Sequence, residues 1–558
     1  MSSVSALVAR TLAAHLDHVF GVMGNGNAHL LDALERETSM TFVAMRHEVG
    51  GVVAADAHYR ASGRIAAATA TYGAGFTNTL TALAEAVQAE IPLVLVVGDQ
   101  PTAGRRAWDV DQIALASAVG ARTYTVGRTD AAATVVLAIE HSLARRQPVV
   151  LSLPYDVAAL DVGESIPPPA LRLPEPVQPR GGFQRAAIAE TAQLLAGASR
   201  PFLLAGRGAW LAGAGGALGE LAAATGAVTA STALGRGIFP DADFDLGVTG
   251  GFGAPAAMEL IREADVAVVF GASLNQFTMR FGELFSPGTR IVQVDVAASA
   301  THPNVGTFLR ADATVVAREL VAELASLGAE SSGWRESLGA AAIADLREQE
   351  QGADAANAGL TPEGELDPRA LAIRLAELLP EDRVVVSDGG HFIGWANMYW
   401  PVASPDRMIM IGTAYQSIGL GFPSVPGASV ARPESTIVLT TGDGGGLMAL
   451  ADLESAVRVA GGRGIAVVWN DAAYSAEVHV YGRKGLAEEP MLIPQADFAA
   501  AAAAFGAEGV VVRTLDDLEA LRVWAARPAE DRPFLMLDCR ISGSVVAPFQ
   551  DEIFHVNR

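Results

Sequence analysis

Short β-branched runs, each closed off by Gly, Pro or Asp, alternate with Ala- and Leu-rich segments along the whole chain. Ile91–Val97, Pro148–Leu153, Val266–Phe270, Val384–Ser387 and Ile465–Trp469 are nearly continuous apolar stretches with no polar face. Strands of that kind are buried on both sides, which calls for parallel sheets covered by helices. The pattern therefore predicts an α/β fold built from doubly wound parallel sheets. At 558 residues the chain is too long for one core and suits three domains of ordinary size.

Two breaks divide it. Between Asp161 and Gly182 lie Ile166, Pro167, Pro168, Pro169, Pro174, Pro176 and Pro179. That proline density precludes a helix or a central strand and predicts an extended linker. A polar stretch bearing Gly and Glu, from about Leu327 to Pro368, reads as a second connection. The expected division is a first domain over 1–160, a linker over 161–185, a central domain over 186–328, a connection over 329–366 and a last domain over 367–558. A net charge of −23 argues against nucleic acid or an anionic membrane as partner. No apolar run approaches the roughly 18 residues of a membrane span. The N-terminus lacks a basic segment followed by a long apolar one. Cys539 is the sole cysteine, so an intrachain disulfide and a cysteine metal cluster are both excluded. It reads as a buried filler near the run Pro533–Leu537, compatible with a reducing cytoplasm.

Thr441-Gly442-Asp443-Gly444-Gly445-Gly446 follows the apolar run Thr436–Thr440, and Asn470-Asp471 closes the run Gly464–Trp469. A glycine turn after a strand lets backbone N–H groups approach a diphosphate. Asp443 and Asn470 each offer a hard oxygen, which suits Mg²⁺ shared with phosphates. Gly442-Asp443-Gly444, a spacer and Asn470-Asp471 resemble the GDG…NN signature of the thiamine diphosphate (ThDP) enzymes. These include acetohydroxyacid synthase, pyruvate oxidase, and benzoylformate and pyruvate decarboxylases. One departure shows: Asp471 stands where the family has its second Asn. The resemblance implies three ThDP-type domains, Asp443, Asn470 and the carbonyl of Ala472 as metal ligands, and Gly442, Gly444 and Gly445 at the diphosphate.

A second motif lies far away. Arg46-His47-Glu48-Val49-Gly50-Gly51 opens a helix-like segment, and a turn, Tyr72-Gly73-Ala74-Gly75-Phe76-Thr77-Asn78, follows the next strand, Arg64–Thr71. These resemble the family's "HE-x-G-A" helix and "T-x-G-x-G-x-x-N" turn. Glu48 then falls on the catalytic glutamate, which passes a proton to the cofactor's pyrimidine ring. That proton shifts the ring's amino group into the imino form that acts as base. Gly75 and Asn78 belong to the same cofactor surface. The family's two motifs come from different subunits, which implies a homodimer at minimum, with a homotetramer common.

Further positions follow by the same likeness. Thr413–Gly421 resembles the segment entering the cofactor site, with Ser417 on the cofactor and Ile418 as the apolar prop that bends it. Ser387-Asp388-Gly389-Gly390-His391 lies where the family contacts the diphosphate, which implicates Gly390 and His391. Asn25, in Gly24-Asn25-Gly26, aligns with a substrate-facing loop. Tyr474, Ser475 and Ala476 flank the metal motif on the cofactor side, and Glu477 matches an acid/base glutamate of the decarboxylase branch. The catalytic candidates are Glu48, Glu477, His391 and Asn25.

The branch signals diverge. Glu477 points to a decarboxylase, yet no His pair follows Val97-Gly98, and Arg105–Gln112 resembles the synthase loop. In the central block, Ala205-Gly206-Arg207-Gly208-Ala209 follows a strand, as an FAD or ADP site would require. A structural domain is favoured over FAD there, and Trp210 is expected to pack. The expectation is a ThDP- and Mg²⁺-dependent enzyme that makes or breaks a C–C bond on a 2-oxo acid, in the manner of acetolactate synthase. The alternatives are a 2-oxo acid decarboxylase, a flavin-dependent oxidase and a non-catalytic relative.

Overall fold

The computed structural model describes residues 2–163, 167–348 and 358–556. Ile166 of the proline-rich segment and residues 349–357 of the second connection lie outside the described residues.

Three six-stranded sheets form, and every paired strand within them runs parallel. The first holds β1 (His18–Gly21), β2 (Thr41–Ala44), β3 (Ala67–Ala70), β4 (Val94–Asp99), β5 (Arg122–Thr125) and β6 (Val149–Pro154) in the order β2-β1-β3-β4-β6-β5. The second holds β7 (Pro201–Ala205), β8 (Val228–Ser231), β9 (Asp245–Val248), β10 (Val266–Phe270), β11 (Arg290–Asp295) and β12 (Val305–Arg310) in the order β12-β11-β10-β7-β8-β9. The third holds β13 (Val384–Ser387), β14 (Met408–Met410), β15 (Ile437–Gly442), β16 (Gly464–Asn470), β17 (Glu508–Val512) and β18 (Leu535–Arg540) in the order β14-β13-β15-β16-β18-β17. The first and third sheets share one topology, and the second follows the other common doubly wound order. In such sheets ligands bind beyond the carboxyl ends of the strands, where the order reverses. Those points fall between β1 and β3 and between β13 and β15.

The apolar runs form strands because their side chains are covered on both faces. Val94, Val96, Leu95 and Val97 of β4, and Ile465 through Val468 of β16, are at most 1% exposed. Boundaries shift by a few residues: the run read as Pro533–Leu537 forms β18 at Leu535–Arg540, where the register with β16 holds it.

The first and third domains share one apolar core. The helix Glu48–Ser62 packs against the helix Gly421–Ala431 so closely that a Cβ on Gly427 would lie 1.9 Å from the carbonyl oxygen of Ala54. Only glycine permits that approach. The second connection is partly helical, with Trp334–Leu338 and Ala340–Leu346 burying Trp334 and Ile343 against the central sheet.

Candidate active site

The tip of β15 continues directly into a short helix, Asp443–Met448. Its glycines are required by neighbours that leave no room. A Cβ on Gly444 would sit 2.5 Å from the Tyr474 ring, and one on Gly445 would sit 2.6 Å from Asp388 Oδ2. Asp443, 2% exposed, accepts the N–H of Gly444 with Oδ1 at 2.9 Å, while its Oδ2 is buried without a partner. Burial lifts Asp443 to about 6, against the pull of the Gly444, Ala472 and Ala473 N–H groups.

Asn470, at the end of β16, is fully buried. Its Nδ2 donates to Ala496 O at 3.0 Å and to Asp538 Oδ1 at 2.8 Å. Both amide hydrogens are thereby committed, and Oδ1 is left buried without a partner. Two unpaired oxygens on adjacent strands form a donor pair suited to a hard divalent cation. Ala472 adopts a left-handed backbone, φ +60°, a conformation that costs a non-glycine residue on the order of 1–2 kcal/mol. Its carbonyl accepts the N–H of Ile493 at 2.8 Å and keeps a second lone pair. Asp471 accepts the Ser475 hydroxyl, and burial followed by the neighbouring Asp443 charge lifts it to about 7. Among the described residues no group of three or more His, Cys, Asp and Glu side chains gathers as a metal site. The donor set here instead combines one carboxylate, one amide and a carbonyl.

Two carboxylates brace this arrangement, and the sequence reading gave neither a role. Asp388 is fully buried between β13 and β15. It accepts the N–H of Gly389 (2.9 Å), Gly419 (3.1 Å) and Leu420 (3.3 Å) and the Thr441 hydroxyl (3.2 Å). Burial raises its pKa, and these donors oppose the rise. Asp388 thus fastens the 417–420 segment to both strand tips. Ser417 is held by its own N–H to Gly412 O at 2.8 Å, and Ile418 lies half-buried with Cγ2 against the Gly389 turn. Asp538 accepts Asn470 Nδ2, the Phe498 N–H at 3.0 Å and Arg540 Nη2 at 2.6 Å, which fixes the orientation of the Asn470 amide. The available signals were an Asp at a strand end before two glycines and an Asp inside the apolar run Leu535–Arg540.

The other candidates of this domain sit around the same edge. Gly390, φ +144°, turns the chain into His391. His391 is buried against His479, Trp395 and Phe549, and its Nε2 accepts the Ala547 N–H at 2.8 Å. Burial drives it down to about 3, so the ring is neutral with its proton on Nδ1. The Ala476 carbonyl accepts Gln550 Nε2 at 3.2 Å. Glu477 is exposed and makes no side-chain hydrogen bond or ion pair among the described residues.

Glu48 opens the helix Glu48–Ser62, with His47 as its cap. Its carboxyl is half-buried. Oε2 accepts Asn78 Nδ2 at 3.0 Å, and a Cβ on Gly75 would lie 3.3 Å from Oε1. Asn25 is exposed and donates to the Tyr72 hydroxyl at 2.8 Å, and the Arg106 guanidinium lies over the Tyr72 ring at 4.0 Å. Asp452 of the third domain accepts the Arg46 N–H at 2.8 Å, which pins the start of this helix to that domain. Among the described residues no hydrogen bond or ion pair joins Glu48, Gly75 or Asn78 to Asp443, Asn470 or Ala472. Glu48, Gly75 and Asn78 belong to the first domain, and Asp443, Asn470 and Ala472 to the third.

The comparisons fit this division. Residues 2–119 match the thiamine pyrophosphate enzyme N-terminal TPP binding domain, residues 188–320 the central domain, and residues 388–537 the C-terminal TPP binding domain. The chain belongs to the thiamine pyrophosphate, or ThDP, enzyme family. Among its relatives, the acetolactate synthase isozyme 3 large subunit of Escherichia coli is 26% identical over 98% of this chain and 96% of the relative. The sulfoacetaldehyde acetyltransferase of Castellaniella defragrans is 27% identical over 99% and 95%. That of Rhodobacter capsulatus is 28% identical over 99% and 96%. The protein is an enzyme of ThDP-dependent C–C chemistry.

Proposed function

We propose that this chain is an acetolactate-synthase-like carboligase, dependent on ThDP and Mg²⁺ and acting on a 2-oxo acid donor. The observation that carries the reading is the pair of buried, unpaired oxygens, Asp443 Oδ2 and Asn470 Oδ1, at the carboxyl edge of the third sheet. They fit a hard cation, and the Ala472 carbonyl adds a third donor. When bound, ThDP supplies the electron sink next to the donor carbonyl. Glu48 moves a proton at Oε1, because Asn78 holds Oε2. Ile418, seated on the Gly389 turn, props the cofactor. Likeness to an acetolactate synthase along nearly the whole chain supports carboligation.

Placement of Glu48 on the first domain and of Asp443 and Asn470 on the third, with no bond between them among the described residues, supports a homodimer as the least functional unit, with Glu48 of one chain facing Asp443 and Asn470 of the next. Pairing two such dimers would give the homotetramer that the family resemblance implies as common. A second reading, simple decarboxylation, is favoured by Glu477, a free exposed carboxylate on the helix after the metal loop. Product analysis with pyruvate separates the two. Acetolactate or acetoin supports carboligation, and acetaldehyde alone overturns it. Inertness toward pyruvate with turnover of sulfoacetaldehyde would reassign the donor.

A further inference from the structure

The loop that carries Ile418 is held from outside its own domain. It runs from Gly412 (φ +93°) to Gly419 (φ +82°), and Gln416 between them takes a left-handed backbone, φ +57°. A non-glycine residue persists in that conformation only where its surroundings over-determine it. The Ser417 N–H closes the loop onto Gly412 O, and Asp388 takes the N–H groups of Gly419 and Leu420. Residues 413–416 remain to be fixed, and residues 414–416 are exposed. Their anchor is Glu85 of the first domain, whose Oε2 accepts the Tyr415 N–H at 2.7 Å. Among the described residues no other hydrogen bond holds residues 413–416.

Glu85 is 1% exposed and belongs to an ionic cluster inside the first domain. The Arg60 guanidinium spends its fork on Asp56, with Nε 2.5 Å from Oδ1 and Nη2 3.3 Å from Oδ2. The same Nη2 reaches Glu85 Oε1 only at 3.4 Å. Two buried carboxylates thus share one guanidinium, and Glu85 holds the weaker share. Burial raises its pKa, while the Arg60 charge and the N–H groups of Tyr415 and Gly412 oppose the rise. A buried carboxylate short of partners is costly, so a backbone N–H of the third domain supplies what Arg60 does not. At 2.7 Å that bond has the length of a charge-assisted one. The cluster also reaches the first edge. Asp56 and Arg60 lie on the helix Glu48–Ser62, and Glu85 lies on the helix Leu80–Gln88, which follows Asn78, the partner of Glu48.

We propose that Glu85 is a positioning residue, which sets the place of the Ile418 prop and ties it to the helix headed by Glu48. This role rests on Ile418 bending the cofactor, as proposed above. Glu85 acts through the Tyr415 backbone, three residues before Ile418. A prop displaced by about 1 Å can cost on the order of 10²-fold in rate.

The test is a double-mutant cycle between Glu85→Leu and Ile418→Ala in the full protein loaded with ThDP and Mg²⁺. Glu85→Leu keeps the buried site filled, removes the acceptor and leaves the Asp56–Arg60 pair intact. The rate read is exchange of the thiazolium C2 proton of bound ThDP for deuterium, followed by NMR after acid quench, which needs no donor substrate. Glu85→Leu should slow that exchange about 10–100-fold in the wild-type background and less than about twofold in the Ile418→Ala background. Losses that multiply, or wild-type exchange in Glu85→Leu, overturn the proposal and leave the prop standing. Wild-type exchange in Ile418→Ala removes the prop itself, and the role of Glu85 with it. A second readout needs neither cofactor nor variant, and so holds even if Glu85→Leu fails to fold. Amide hydrogen exchange of the wild-type protein should find the Tyr415 N–H protected within an exposed loop. Exchange there at the unprotected rate overturns the proposal.

Discussion

The first and third domains repeat one strand order and present their sites at the same switch point, yet the two edges are prepared differently. At the third, Asp443, Asn470, Asp388 and Asp538 are all buried and cross-braced, and two oxygens are left aimed at nothing. At the first, Glu48 is half-buried with a single side-chain partner, Asn78, and Asn25 is exposed. The contrast follows the chemistry. A cation site must fix its ligands before binding, because desolvated donors that also had to reorganise would bind weakly. The hydrogen bonds of a proton-transfer group are often completed only when its reaction partner is bound.

Three experiments break or sharpen that contrast. Glu48→Gln keeps the shape and removes the proton. Turnover should fall about 10²–10⁴-fold with ThDP affinity, by calorimetry, nearly unchanged. A matching loss of affinity would mean that the first edge also grips. Asp538→Ala removes one of the two acceptors that orient the Asn470 amide and leaves only the Ala496 carbonyl. Mg²⁺ affinity at fixed ThDP should drop about 10–100-fold, the usual cost of losing a ligand's orienting partner. The melting temperature without cofactor serves as control, and an equal collapse there would reduce Asp538 to packing.

The smallest effect is pH dependence. Asp443 must lose its proton to bind a cation, so below about pH 6 affinity should fall about tenfold per unit. On the stability of the cofactor-free chain the sign reverses. An acid raised from 3.8 to about 6 by burial contributes stability below pH 3.8 and loses it as pH rises through 6. Melting curves at pH 5 and 7 should show that loss in the wild type and a smaller one in Asp443→Asn.

Much of this was legible in the chain itself. Continuous apolar runs dictated parallel sheets, and GDG with Asn470 marked the third edge, since a strand tip crowded by Tyr474 and Asp388 tolerates no side chain there. Asp538 and Asp452 were not legible. Each acts on a residue far off in sequence, Asn470 and Arg46, and nothing local distinguishes a bracing carboxylate from a solvated one. His391 illustrates the limit from the other side. Its place after Gly389-Gly390 suggested a ligand contact, while its packing against Phe549 and Ala547 depends on a segment more than a hundred residues later.

The order of residues alone decided the alternation of strands and helices and the family, because each rests on short-range pattern and on chemistry carried by single side chains. Tertiary structure alone decided which carboxylates are buried, which oxygens go unpaired, and that Glu85 of the first domain meets the loop before Ile418. Burial and pairing are properties of what surrounds a group, and those surroundings are assembled only when distant segments pack together.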